Sequence, residues 1–101
     1  MQKKLEKQKT KKRISSILIV HTFGNLANIN KEFINFCKKK SINIIEDAAQ
    51  SFGAEYFGTK VGKNAKITCV SFFPAKPLGC YGDGGAVFTN DDGCDKWGKP
   101  L

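Results

Sequence analysis

The stretch ISSILIVHTFGNLANINKEFINFCKKKSINIIED, residues 14–47, decides the fold of this chain. It opens and closes with short β-branched apolar runs, at residues 14–20 and 42–45. Such runs are typical of strands that are buried on both faces of a sheet. Two strands of this kind, close together in the chain, predict a parallel pair joined by a crossover connection.

The residues between the two runs predict an amphipathic helix. Either Asn28 or Asn30 can cap its first turn, and Ser41 ends it. The apolar positions that recur at helical spacing are Ile29, Phe33, Phe36 and Cys37. Strand, helix and strand in this order predict a right-handed βαβ unit.

Further strands extend this unit. Residues 66–73 and 85–89 have the composition of strands, and residues 53–62 that of a loop or hairpin. The predicted fold class is therefore α/β, with a partial, mostly parallel sheet and flanking helices. Glu46 and Asp47 come at the carboxyl end of the second strand, where open α/β sheets bind ligands. Asp47 could also cap a short helix after that strand.

One lysine is framed by prolines and glycines in SFFPAKPLGCYGDGGAVFTND, residues 71–91. Pro77 keeps Lys76 out of the helical region, and Pro74 stiffens the chain upstream, so the lysine is predicted to lie on a rigid turn. The glycines that follow allow tight turns or the close approach of a ligand. By itself the stretch fits a surface turn as well as a ligand-binding loop.

Length and charge limit the function classes. The chain has 101 residues, which suffice for one small domain. Its net charge is +8, of which residues 1–13 carry +6 through seven Lys or Arg and one Glu. We expect that segment to be a disordered basic tail. The remaining charge of +2 predicts no basic groove for nucleic acid.

The four cysteines and the single histidine predict neither a metal site nor a disulfide framework, because the cysteines are irregularly spaced and form no C-x-x-C pair. This usage is typical of a cytoplasmic protein. The apolar run that follows the basic segment is too short to span a membrane and lacks a signal-peptide cleavage site. We therefore expect neither export nor a membrane partner.

Four polar side chains are predicted to converge near strand ends: Asp47, Gln50, Ser71 and Lys76. Pyridoxal phosphate needs such a set, with a lysine amine that binds it covalently, a carboxylate beside its ring nitrogen and hydroxyls for its phosphate. These residues are therefore candidates for a site for this cofactor.

Four segments together resemble the DegT/DnrJ/EryC1/StrS sugar aminotransferases, which are fold type I enzymes dependent on pyridoxal phosphate. The segments are VHTFGN at 20–25, IIEDAAQSFGAEYFG at 44–58, SFFPAKPLG at 71–79 and YGDGGAVFTND at 81–91. Their order and separations resemble the family as well. The resemblance covers residues 14–91 and implies a part of the large, cofactor-binding α/β domain.

The resemblance assigns a role to each candidate. It implies that Asp47 pairs with the pyridinium nitrogen, that Gln50 contacts the ring face or its hydroxyl side and that Ser71 binds the phosphate. Lys76 is the implied catalytic residue, which binds the cofactor covalently and moves the proton. His21 matches a family histidine that we assign to packing or site support.

The activity implied is amino transfer from glutamate to a nucleotide-linked keto-sugar, for surface polysaccharide or amino-sugar biosynthesis, in a homodimeric parent enzyme. Because such enzymes are several times longer and residues 92–101 are poor in helix formers, we expect a non-family C-terminal end and an inactive fragment. Two other classes stay open. One is a related sugar dehydratase, in which histidine replaces the lysine; the other is a small basic interaction or nucleic-acid-binding protein, which needs a basic face within residues 14–101.

Overall fold

A computed structural model of the chain describes Lys3 and residues 13–91. Its strands, in chain order, are β1 (Ser16–Val20), β2 (Asn43–Asp47), β3 (Glu55–Tyr56), β4 (Thr59–Lys60), β5 (Ile67–Ser71) and β6 (Gly85–Thr89). Four of them form one sheet in the order β1-β2-β5-β6. β1, β2 and β5 are parallel, and β6 is antiparallel to β5. The predicted α/β class with a mostly parallel sheet is confirmed.

Helix α1 (Lys31–Lys39) connects β1 to β2 and completes the predicted βαβ unit. Of the two candidate caps, Asn30 holds the first turn, because its side-chain oxygen accepts a hydrogen bond from the Phe33 backbone N–H at 2.8 Å. The helix ends slightly earlier than predicted. Ser41 adopts a positive φ of 54° and turns the chain into β2.

The core lies between α1 and one face of the sheet. Ile19 of β1 and Ile44 of β2 pack there with Phe33 and Cys37 of the helix. These side chains come from three successive elements, so the βαβ unit carries the buried apolar contacts of the fold. Burial also raises the pKa of the Cys37 thiol, which keeps this side chain neutral in the core.

The prediction that β1 is buried on both faces is wrong for this chain. Leu18 is 61% exposed and Val20 is 53% exposed, whereas Ile19 between them is buried. Successive side chains of a strand point to opposite faces, and α1 covers only the face that carries Ile19. Within the described residues, only one face of β1 therefore contributes apolar side chains to the core.

The segments after β2 follow the prediction in outline. β3 and β4 pair as the predicted hairpin, and β6 has the predicted bounds. β5 is shorter than predicted, because the chain leaves the sheet after Ser71. The alternative in which Asp47 caps a short helix is not observed, since residues 49–53 form turns.

The expected basic tail at residues 1–13 lies outside the described residues, apart from Lys3 and Arg13, and the expected end at residues 92–101 lies outside them entirely. Both stay predictions. Among the residues that the structure does describe, no helix is long and apolar enough to cross a membrane.

Candidate functional site

The carboxyl ends of the three parallel strands lie side by side along one border of the sheet, its carboxyl edge. Asp47 is the last residue of β2 and is in register with Val20 of β1 and Cys69 of β5. Ser71 is the last residue of β5. The topology therefore brings two of the predicted site residues to the edge at which open α/β sheets bind ligands.

Asp47 and Ser71 also belong to the same face of the sheet. Paired residues in a sheet share a face, and residues two apart in one strand do so as well. Asp47 pairs with Cys69, which precedes Ser71 by two residues, so the carboxylate and the hydroxyl lie on one side. This is the face opposite helix α1, and both residues are half-buried.

Local hydrogen bonds fix the position of Asp47. Its Oδ1 accepts the Ala49 backbone N–H at 3.0 Å, and its backbone carbonyl accepts the His21 backbone N–H at 3.1 Å. The next residue, Ala48, is buried and donates its N–H to the carbonyl of Cys69 at 2.8 Å. The backbone at the end of β2 is thus hydrogen-bonded to His21, just after β1, and to Cys69 of β5.

Lys76 lies on a closed turn after β5. Its backbone N–H donates to the Phe73 carbonyl at 2.8 Å, and the Cys80 N–H donates to the Phe72 carbonyl at 2.7 Å. Ser71 joins this turn, because its hydroxyl oxygen accepts the Phe73 N–H at 3.3 Å. The side chain of Lys76 is half-buried. The structure therefore agrees with the tight turn predicted from the prolines.

Gly79 is the residue that this turn requires. A Cβ atom at Gly79 would lie 2.4 Å from the carbonyl oxygen of Pro74, and real Cβ atoms essentially never approach backbone so closely. The close approach lets the chain fold back beneath Lys76. The sequence showed the glycine but not the carbonyl against which it packs.

Gln50 follows Asp47 by three residues and is exposed in the turn at residues 49–53. Two cavities of the described residues, of about 540 and 690 Å³, lie elsewhere. Neither is lined by Asp47, Gln50, Ser71 or Lys76. Asp47, Gln50, Ser71 and Lys76 therefore lie outside both of these cavities.

His21 and Glu46 form a buried pair that the sequence did not predict. Nε2 of His21 lies 3.4 Å from Oε2 of Glu46. Glu46 lies two residues after the buried Ile44 in β2, so both are on the helix-covered face. One partial signal was present, because Glu46 lies two residues from Ile44 and a buried carboxylate needs a polar partner. The sequence did not show the strand register that brings His21 to it.

The donor set at the edge suits pyridoxal phosphate. Asp47 offers a carboxylate for the ring nitrogen, Ser71 a hydroxyl for the phosphate and Lys76 an amine for a covalent bond. The described residues contain no group of three or more His, Cys, Asp or Glu side chains that could hold a metal ion.

Comparison with known proteins gives a consistent result. The model of the DegT/DnrJ/EryC1/StrS aminotransferase family matches residues 1–98. The chain is 52% identical over 81 residues to the UDP-2-acetamido-2-deoxy-3-oxo-D-glucuronate aminotransferase of Pseudomonas aeruginosa, which covers 79% of this chain and 22% of that protein.

Solved structures show the same likeness. A DegT DnrJ EryC1 StrS aminotransferase from Brucella abortus is 42% identical with a TM-score of 0.67, over 78% of this chain and 21% of that one. NtdA from Bacillus subtilis, solved with bound cofactor PMP, is 32% identical with a TM-score of 0.64, over 77% of this chain and 17% of that one. The chain therefore spans about a fifth of the length of its relatives and has part of their fold type I architecture.

Proposed function

We propose, because this chain belongs to the DegT/DnrJ/EryC1/StrS aminotransferase family, that it supplies the central part of the cofactor site of a nucleotide-sugar aminotransferase. The observation that supports this most is the position of Asp47, Ser71 and Lys76 at and just beyond the carboxyl ends of neighbouring strands. Asp47 and Ser71 share one face of the sheet, and Lys76 lies on the turn that follows Ser71, so an acid, a hydroxyl and an amine from separate segments support the proposal.

The roles follow from the chemistry of each group. We assign Asp47 to the protonated ring nitrogen of pyridoxal phosphate, since a carboxylate there keeps the proton in place. Ser71 would hold the phosphate and Gln50 the ring face or its hydroxyl side. When bound, the cofactor supplies an electron sink for the bonds around the amino group.

Lys76 is the catalytic residue of this proposal. Its amine would hold the cofactor covalently until the amino group of the substrate displaces it, and the freed amine would then accept and return the proton that moves during amino transfer. The closed turn supports this assignment, because a general base is most effective when its position is fixed relative to the reacting atoms.

The proposed substrates are glutamate, as the amino donor, and a nucleotide-linked keto-sugar. The name of the Pseudomonas aeruginosa relative, a UDP-linked 3-oxo sugar acid aminotransferase, supports the nucleotide-sugar class. We further propose a cytoplasmic, homodimeric parent enzyme acting in surface polysaccharide or amino-sugar biosynthesis.

Selective labelling of Lys76 tests this proposal. The chain is incubated with pyridoxal phosphate, reduced with borohydride and mapped by mass spectrometry. We expect the reduced adduct on Lys76 above all other lysines, and Lys76→Ala should abolish it, whereas Lys60→Ala in the hairpin should leave it unchanged. Adducts spread over the lysines of residues 1–13, with Lys76 no more labelled than they are, would contradict the proposal.

Catalytic turnover by the chain itself is a second, separate expectation. We expect the 101-residue chain to transfer no amino group from glutamate to a nucleotide keto-sugar, because transfer needs cofactor and substrate held in register and the chain spans only 22% of the length of its Pseudomonas aeruginosa relative. Product formation that depends on Lys76 would show that this chain suffices for catalysis.

A further inference from the structure

His21 and Glu46 lie beside Asp47 but on the other face of the sheet. Their exposed fractions are 2% and 3%. Oε2 of Glu46 faces Nε2 of His21 and also accepts the backbone N–H of Gly62, in the loop after β4. A buried carboxylate needs such donors, because burial otherwise disfavours its charge.

The hydrogen bonds of His21 determine where its ring proton lies. Nδ1 accepts the Ala27 backbone N–H at 3.1 Å. A ring nitrogen that accepts a hydrogen bond carries no proton, so the proton lies on Nε2, the nitrogen nearer Glu46. Nε2 lies within ion-pair distance of Glu46 Oε2, at 3.4 Å, but is buried without a hydrogen-bond partner within residues 13–91. The ring is therefore held by the hydrogen bond at Nδ1 and faces the Glu46 carboxylate at Nε2.

His21 also contacts Asp47 directly through the main chain. Its N–H donates to the Asp47 carbonyl, while its ring faces the Glu46 carboxylate, so one residue holds two successive residues of β2. Gly62, which donates its N–H to Glu46, is held in turn, because its carbonyl accepts a hydrogen bond from the Asn90 side-chain amide at 2.8 Å. The end of β2 is thus fixed to β1, to the hairpin loop and to the end of β6.

We propose that His21 and Glu46 are positioning residues for the cofactor site: this buried pair fixes the backbone at Asp47 so that its carboxylate stays at the edge shared with Ser71. The role of Asp47 toward the cofactor rests on the function proposed above. The positioning itself rests only on the contacts of this chain and needs no cofactor to be measured.

The test compares three variants of the full chain by hydrogen exchange with mass spectrometry. His21→Leu removes both ring contacts. His21→Gln keeps an amide N–H that can donate to Glu46, but it has no ring nitrogen for Ala27. Ile44→Val, in the same strand and on the same face, weakens the core without touching the pair.

We expect His21→Leu to speed exchange at residues 47–51 by about tenfold relative to helix α1, because a buried carboxylate loses a donor. His21→Gln should restore slow exchange at residues 47–51 but not at Ala27. Ile44→Val should raise exchange evenly over α1 and β2. This contrast separates positioning from general stability.

A second measurement observes the pair itself. The nitrogen spectrum of the single histidine, recorded by magic-angle-spinning NMR, should show a neutral ring with its proton on Nε2. A proton on Nδ1, or His21→Leu exchange that rises as evenly as in Ile44→Val, would overturn the proposal. Because neither readout involves pyridoxal phosphate, such a result would leave the labelling test of Lys76 unaffected.

Discussion

At the scale of single residues, the position of Lys76 depends on a glycine three residues away. Gly79 packs against the carbonyl of Pro74 with no room for a side chain, and this contact closes the turn on which Lys76 lies. The two prolines restrict the local backbone, but the contact with Gly79 determines how far the chain folds back. The backbone at Lys76 is thereby fixed in the turn that follows β5.

Gly79→Ala should therefore open this turn. The added Cβ would lie 2.4 Å from a backbone oxygen that cannot rotate away, so we expect a loss of about 1 to 3 kcal/mol of stability and weaker labelling of Lys76. Gly82→Ala is the matched control, because an added Cβ there meets nothing within 4 Å. Urea denaturation and borohydride labelling measure the two effects. Equal behaviour of both variants would show that the turn does not need the glycine.

At the scale of secondary-structure elements, the cap of α1 shows what the sequence left undecided. Asn28 and Asn30 both fitted the pattern, and the choice depends on where the helical backbone begins, which is set by the packing of Phe33 and Cys37 on the sheet. We expect Asn30→Ala to cost about 1 kcal/mol of stability, because the Phe33 N–H loses its acceptor. Asn28→Ala should leave the urea midpoint unchanged. A larger loss from Asn28→Ala would contradict this assignment.

The secondary-structure elements could be predicted from the sequence, whereas a contact between elements could not. The positions of the strands and the parallel βαβ unit followed from apolar runs and helical spacing, since these patterns depend on local sequence. The contact between His21 and Glu46 could not be predicted, because it depends on the register that pairs Ile19 with Glu46. The two residues are far apart in sequence, and the position of Glu46 at the carboxyl end of a strand favoured a ligand-facing carboxylate. Glu46 is buried because side chains alternate between the two faces of β2 and Glu46 falls on the face that α1 covers. The sequence alone does not determine which face that is.

At the scale of the whole molecule, the sheet has one face that α1 covers and one that is open among the described residues, 13–91. Leu18, Val20 and Val87 lie on the face opposite α1, and Val87 is 68% exposed. Asp47 and Ser71 belong to that same face. The candidate site therefore borders an apolar surface, and open apolar surfaces of this kind promote association.

The chain should associate through that open face. β1 and β6 are the edge strands of the sheet, and unpaired edges next to exposed apolar side chains favour pairing between copies. We expect the purified chain to sediment as oligomers or aggregates, and the double change Leu18→Lys with Val87→Lys to shift it toward monomer, since two charges would be costly to bury between copies. Leu78→Lys is the control, because Leu78 is 51% exposed but lies in the Lys76 turn, outside the sheet. Analytical ultracentrifugation over a range of concentrations distinguishes these variants. A wild-type chain that stays monomeric and unfolds cooperatively would show that the open face does not drive association.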